Sequence, residues 1–135
     1  MSDLNINQNE QAREAEKAVL GGLMLETHRF DTVIQVIKEN DFDGKDHQII
    51  FQSMSELIEE NKPLDPLTVS EKLTNKNSLN KVGGKEYLIE LATSTPTAAN
   101  LEAYAEIVKQ RSITMSQKRA STSKDAGLPL VKNRN

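Results

Sequence analysis

The residue types able to do chemistry are few in this 135-residue chain, and none falls in a spacing that builds a reactive site. Gly83-Gly84-Lys85 comes nearest to a phosphate-binding loop. It lacks the earlier glycine of GxxxxGK, and Glu86 stands where a Ser or Thr should follow the lysine. Without that loop there is no backbone cradle for phosphates and no hydroxyl ligand for magnesium, so no nucleotide-hydrolysing site is expected on this chain. The glycine pair reads instead as a turn ahead of a helix. His28 and His47 have no cysteine near them and no HExxH spacing, which argues against a metal pair and leaves them as surface or loop histidines. The carboxylate pairs Glu14/Glu16, Glu59/Glu60 and Asp41/Asp43 fall on solvent faces or in loops by their periodicity. Paired catalytic acids need burial to split their pKa values, so these read as solvated charge.

Composition points away from chemistry as well. With 27% charged residues, 36% hydrophobic residues, three Phe, two Tyr and no Trp, the chain suits one solvated helical domain with an aliphatic core. No apolar run approaches the roughly 18 residues of a membrane span, and the N-terminus has no secretory core, so a cytoplasmic location is expected. The absence of cysteine fits a reducing compartment. The net charge of −3 hides an asymmetry: residues 1–108 carry ten Lys/Arg against nineteen Asp/Glu, and residues 109–135 carry seven against one. An acidic head does not grip phosphates, because that affinity comes from cations displacing counterions. Any weak DNA contact would fall to the basic tail, which also reads as an unstructured solubilising end.

The elements follow from apolar spacing. Residues 1–9 are polar and without period, and are expected to be flexible. A first helix carries Ala12, Ala15, Val19 and Leu23 on one stripe, with Arg13, Glu14, Glu16 and Lys17 toward solvent. Gly21-Gly22 interrupts it, so either the helix ends there or another backbone packs closely; the apolar LML beyond favours close packing. Phe30, Val33, Ile34 and Ile37 predict a short second helix, and Phe42 in the following loop a core plug. A third helix is predicted over about 45–60, stopped by Asn61-Lys62-Pro63. Asp65-Pro66 then reads as a cap with proline at the first helical position, in competition with a start at Thr68 and Glu71. The overall expectation is all-α: about five to six short helices in a head over 10–94, an elbow and one longer protruding helix over 95–115, and a basic disordered tail over 116–135.

The elbow organises the candidate functional residues. Tyr87, Leu88 and Leu91 stripe one helix, and Leu101, Tyr104, Ala105 and Val108 the next. Pro96 has no N–H and drives Thr95 from the α region, while Asn100 can cap the second helix. A helix that outruns its head leaves a stripe in need of a partner.

Five segments in order, EAEKAVLGGLML, DFDGKDHQIIF, DPLTVSEKL, VGGKEYL and TPTAANLEAYAEIVKQRS, resemble the N-terminal domain of the bacterial replicative DNA helicase, the DnaB family. The resemblance covers about residues 11–113. It implies a helical head and a helical hairpin whose copies form a collar above a ring of ATPase domains, with DnaG-type primase docking on the collar. The partners so implied are the chain itself or full-length helicase subunits, and primase. ATP and magnesium would belong to the family's motor domain, with no cofactor on this chain. Carried over by position, Leu101, Tyr104, Ile107 and Val108 become candidates for head and subunit contacts, and Tyr87 and Leu91 for the surface where subunit and primase meet. After KQRS the chain departs from the family pattern, and the motor and second hairpin arm are missing from it. A stand-alone relative that regulates or poisons assembly of the full-length helicase is the alternative.

Overall fold

Ala12, Glu16 and Leu20 stand four residues apart and share one face of α1, which runs Ser2–Leu25 in this computed structural model. The structure describes residues 2–95 and 97–127, with side chains for 10–95 and 97–117. Among the described residues the chain is wholly helical: α2 at Phe30–Val33, α3 at Lys45–Glu59, α4 at Pro66–Asn75, α5 at Gly84–Ser94 and α6 at Leu101–Gly127, with 3₁₀ turns at Thr27–Arg29, Glu39–Asp41 and Asn80–Val82. None of these helices is long and apolar enough to cross a membrane.

The helix boundaries have local causes. Asp65 caps α4, its carboxylate accepting from the Thr68 N–H (2.9 Å) and the Thr68 hydroxyl (3.0 Å), so the competing start at Thr68 does not form. Asn61 ends α3 with φ +59°, and the N–H of Lys62 closes back on the Leu57 carbonyl at 2.9 Å. Asn77 repeats the device after α4 with φ +57°, Ser78 N–H reaching the Leu73 carbonyl at 2.8 Å. Both are left-handed helix stops in which short polar side chains tolerate positive φ. Gly83 and Gly84, at φ +102° and +78°, form the turn into α5 that few other residues could make.

α1 runs through the middle of the packing. Val19, Leu20 and Leu23 are fully buried against Ile50 and Met54 of α3 and Leu88 and Leu91 of α5. Phe51 stacks on Phe30 at 5.4 Å and meets Phe42 at 5.0 Å, which makes Phe42 the core plug expected of its loop. α6 lies along α1 through Leu101, Ala105 and Val108, and Lys109 (3.5 Å) and Ser112 (2.7 Å) reach Asp41 at its far side.

One local expectation, the length of the second helix, is corrected, and at both ends the described residues extend a helix. The stretch expected to be flexible at the N-terminus is helical from Ser2. The second helix is shorter than its apolar spacing suggested, ending at Val33 with Ile34 exposed, because a turn carries the chain back so that Ile37 can enter the core. The tail expected to be disordered from residue 116 continues α6 to Gly127. Helical hydrogen bonds are local and continue without a buried stripe once a packed segment has nucleated them. The remainder of that tail, 128–135, lies outside the described residues.

Candidate docking surface and the polar cluster beside it

Two features surround the elbow. The first is a close helix crossing. A Cβ on Gly21 would collide with the Thr95 hydroxyl and the Leu91 carbonyl, and one on Gly22 would stand 2.8 Å from Leu101 Cδ1. α1 therefore passes straight through both glycines, and their missing side chains let the end of α5 and the start of α6 press on it. Arg29 adds a polar clasp: its Nε donates to Glu102 (3.2 Å), its Nη1 to Glu26 (3.2 Å) and to the Ala98 carbonyl (3.3 Å), and its Nη2 pairs with Glu102. Glu102 holds the Arg29 guanidinium above its ordinary pKa, and Arg29 holds the Glu102 carboxyl below its own. Pro96 lies outside the described residues. Asn100 is exposed, and its carbonyl accepts from Tyr104 N–H at 3.0 Å as the first bond of α6.

The remaining candidates divide by burial. Leu91, Leu101 and Val108 are at most 1% exposed, so they are core and offer a partner no surface. Tyr87 and Tyr104 are partly buried against the core, and Ile107 is 45% exposed. Tyr104 and Ile107 line an open groove of about 860 Å³ between α1 and α6, with Ala15, Ala18, Glu10 and Glu14 across it. Tyr87 is not part of that groove.

The second feature is a cluster that periodicity assigned to solvent. His47 is fully buried and Glu16 only 2% exposed, correcting the reading of His47 as a surface histidine and of Glu16 as solvated charge. His47 Nδ1 lies 2.6 Å from Glu16 Oε1, and Nε2 lies 2.6 Å from the Tyr87 hydroxyl. Glu16 also accepts from the backbone N–H groups of Asp43 (2.6 Å) and Gly44 (3.5 Å). At the mouth, Arg13 donates to Asp46 at 2.8 and 3.2 Å and to the Tyr87 hydroxyl at 3.2 Å. The His47 and Tyr87 rings stack with centroids 5.9 Å apart.

Burial pushes the Tyr87 phenol up to about 12, and Arg13 only partly offsets this. For Asp46, burial pushes upward, but the bonds from Arg13 and the charges of His47 and Arg13 outweigh it and hold the carboxyl below its usual range. Asp46 in turn raises Arg13. The cluster ties α1, α3 and α5 together, and with His47 sealed from solvent it offers a substrate no access to the imidazole. Among the described residues no group of three or more His, Cys, Asp or Glu is arranged to hold a metal. A sequence signal for the cluster existed: His47, Ile50, Phe51 and Met54 follow i, i+3, i+4, i+7, and Glu16 sits in line with Ala12 and Leu20.

With this geometry in place, likeness to known proteins is informative. A family model described as the DnaB-like helicase N terminal domain matches residues 8–110. The replicative DNA helicase DnaB of Buchnera aphidicola subsp. Baizongia pistaciae is 43% identical over 100 residues, 74% of this chain and 22% of that protein. The replicative DNA helicase DnaC of Bacillus subtilis is 40% identical over 110 residues, 82% of this chain and 24% of that protein. The chain thus spans about a quarter of the length of these relatives. Among solved structures, the N-terminal domain of DnaB helicase from Mycobacterium tuberculosis superposes with a TM-score of 0.78 at 32% identity, over 81% of this chain and 79% of that one. The N-terminal domain of DnaB helicase from Helicobacter pylori, whose structure was described together with its interactions with primase, gives 0.71 at 26% identity, over 91% and 94%. Sequence match and all-helical architecture agree over the same region, and the chain belongs to the DnaB-like helicase N-terminal domain family.

Proposed function

We propose that this chain is a non-catalytic docking domain of a replicative helicase, which associates with its own copies or with full-length helicase subunits and receives a DnaG-type primase. The observation that carries this reading is the groove beside α6. One stripe of that helix, Leu101, Ala105 and Val108, seats it on the head, while Tyr104 and Ile107 open onto unfilled apolar space. An apolar surface left by a helix along the head is the kind of feature that protein contacts use, and burial there needs neither bound nucleotide nor metal. The likeness to the Helicobacter pylori domain supports primase as one occupant.

The test is light scattering of the purified chain across concentrations, alone and mixed with a full-length helicase and with a primase from one bacterium. Association in at least one of these settings, weakened by Ile107→Glu with the helical signal kept, is the expected outcome. A monomer at every concentration that binds neither protein would overturn the proposal.

A further inference from the structure

We infer that Glu16, His47 and Tyr87 form a one-proton switch, which carries a change of protonation in the core to the surface as a reversal of the Tyr87 hydroxyl. The three groups make an unbroken line from a buried carboxylate on α1, through a buried imidazole on α3, to a phenol on α5 at the edge of solvent. Both links measure 2.6 Å.

Donor and acceptor counting assigns the directions. Arg13 can only donate, so the Tyr87 oxygen accepts from it at 3.2 Å. With Glu16 ionised and accepting from Asp43 N–H, a bare Nδ1 would set two acceptors against each other at 2.6 Å. Among the described residues the only other side-chain donor near Nδ1 is Arg13 Nη1, at 3.5 Å. A neutral His47 therefore carries its proton on Nδ1 and donates to Glu16, and its bare Nε2 accepts the Tyr87 O–H.

One added proton changes the far end. Whether it resides on the imidazole or is shared back toward Glu16, Nε2 becomes an N–H and donates to the Tyr87 oxygen. That oxygen then accepts from both His47 and Arg13, its two lone pairs are used, and its own hydrogen must turn outward. The half-buried Tyr87 has solvent to turn toward. The groups facing the line are few. They are Glu16 and Arg13 from α1, Asp46 on α3, whose carboxylate accepts from the His47 backbone N–H at 2.8 Å, and Tyr87 from α5, with Glu90 and Glu14 acting on Tyr87 at longer range. The Phe42 ring, edge-on at 6.4 Å, closes the apolar side.

The experiment is long-range proton–nitrogen NMR of the full chain over about pH 5 to 8, the range in which imidazoles change charge. The Tyr87 hydroxyl proton is followed in the same samples, and its assignment is made by its loss in Tyr87→Phe. At the alkaline end His47 is expected as the Nδ1–H tautomer, with a protected Tyr87 hydroxyl resonance. Toward acid, the Nε2 proton should appear and the hydroxyl resonance vanish with one midpoint, while circular dichroism holds constant. An Nε2–H tautomer at the alkaline end overturns the inference whatever happens in acid. So does a His47 that changes state while the hydroxyl resonance persists, or one that keeps a single state throughout.

Discussion

Gly21 lies so close to Thr95 that the glycine's missing side chain is what permits the contact: the Thr95 hydroxyl, donating to the Leu91 carbonyl at 3.0 Å, occupies the space a Cβ would need. The end of α5 is thereby pressed onto the last turns of α1, immediately ahead of the elbow. Helix propensity alone opposes glycine here by about 1 kcal/mol, so the sequence tolerates a local cost for a tertiary contact.

The two glycines are therefore predicted to differ. At Gly21 an alanine meets backbone as well as a side chain, and Gly21→Ala should destabilise the fold by about 1–3 kcal/mol in spite of its better propensity. At Gly22 the obstacle is the flexible end of Leu101, so Gly22→Ala should fall within about 1 kcal/mol of the parent in either direction. Urea unfolding of the two variants checks this, and equal losses would contradict the packing described.

Glu16 should be the costliest surface-like letter to remove. Glu16→Ala leaves the Asp43 N–H and the buried His47 ring nitrogen without their acceptor, and the expected loss is about 2–4 kcal/mol. Glu14→Ala, one helical position removed from the stripe and exposed, should lie within about 0.5 kcal/mol of the parent. Thermal melts of the pair separate a buried acceptor from solvated charge.

Tyr87 makes an alkaline prediction. Its pKa is raised from 10.0 to about 12 in the fold, so the folded state holds a proton that the unfolded state releases first. Stability is then fully present below pH about 10 and is lost as pH rises toward about 12. The melting temperature of the parent should decline through that window more steeply than that of Tyr87→Phe. Parallel profiles would remove Tyr87 as the cause.

The stripe of α6 splits into core and surface. Leu101→Ala should cost about 2–5 kcal/mol, as deletion of a fully buried leucine does, and Ile107→Ser should leave stability nearly unchanged while weakening any self-association. Unfolding curves and light scattering on both variants read the two effects apart.

Much of this architecture was legible in the chain. The apolar periods of α3, α5 and the first half of α6, the Asp65-Pro66 start, the asparagine stop and the glycine turn each depend on a few neighbouring residues. Their outcomes are the ones local physics dictates. The errors share one form. Periodicity places Glu16 toward solvent and the missing metal spacing leaves His47 a surface histidine, although both are buried; Leu91, read as flanking a docking surface, is core, while Leu101 and Val108, candidates for head and subunit contacts, meet the head. Which stripe residues remain open depends on what packs across them, and no local spacing carries that information.

The sequence by itself determined that the chain is helical, where most helices begin and end, and that no phosphate-loop motif is present, because propensity, capping and motif chemistry act over a turn or two of chain. Only the tertiary structure decided that Gly21 and Gly22 admit α5 and α6, that a buried carboxylate and imidazole tie three helices to Tyr87, and that Tyr104 and Ile107 face open space. Those relations join residues separated by dozens of positions. They come into being only when the helices pack, since burial, and with it the strength of every polar contact inside, is a property of the assembled core.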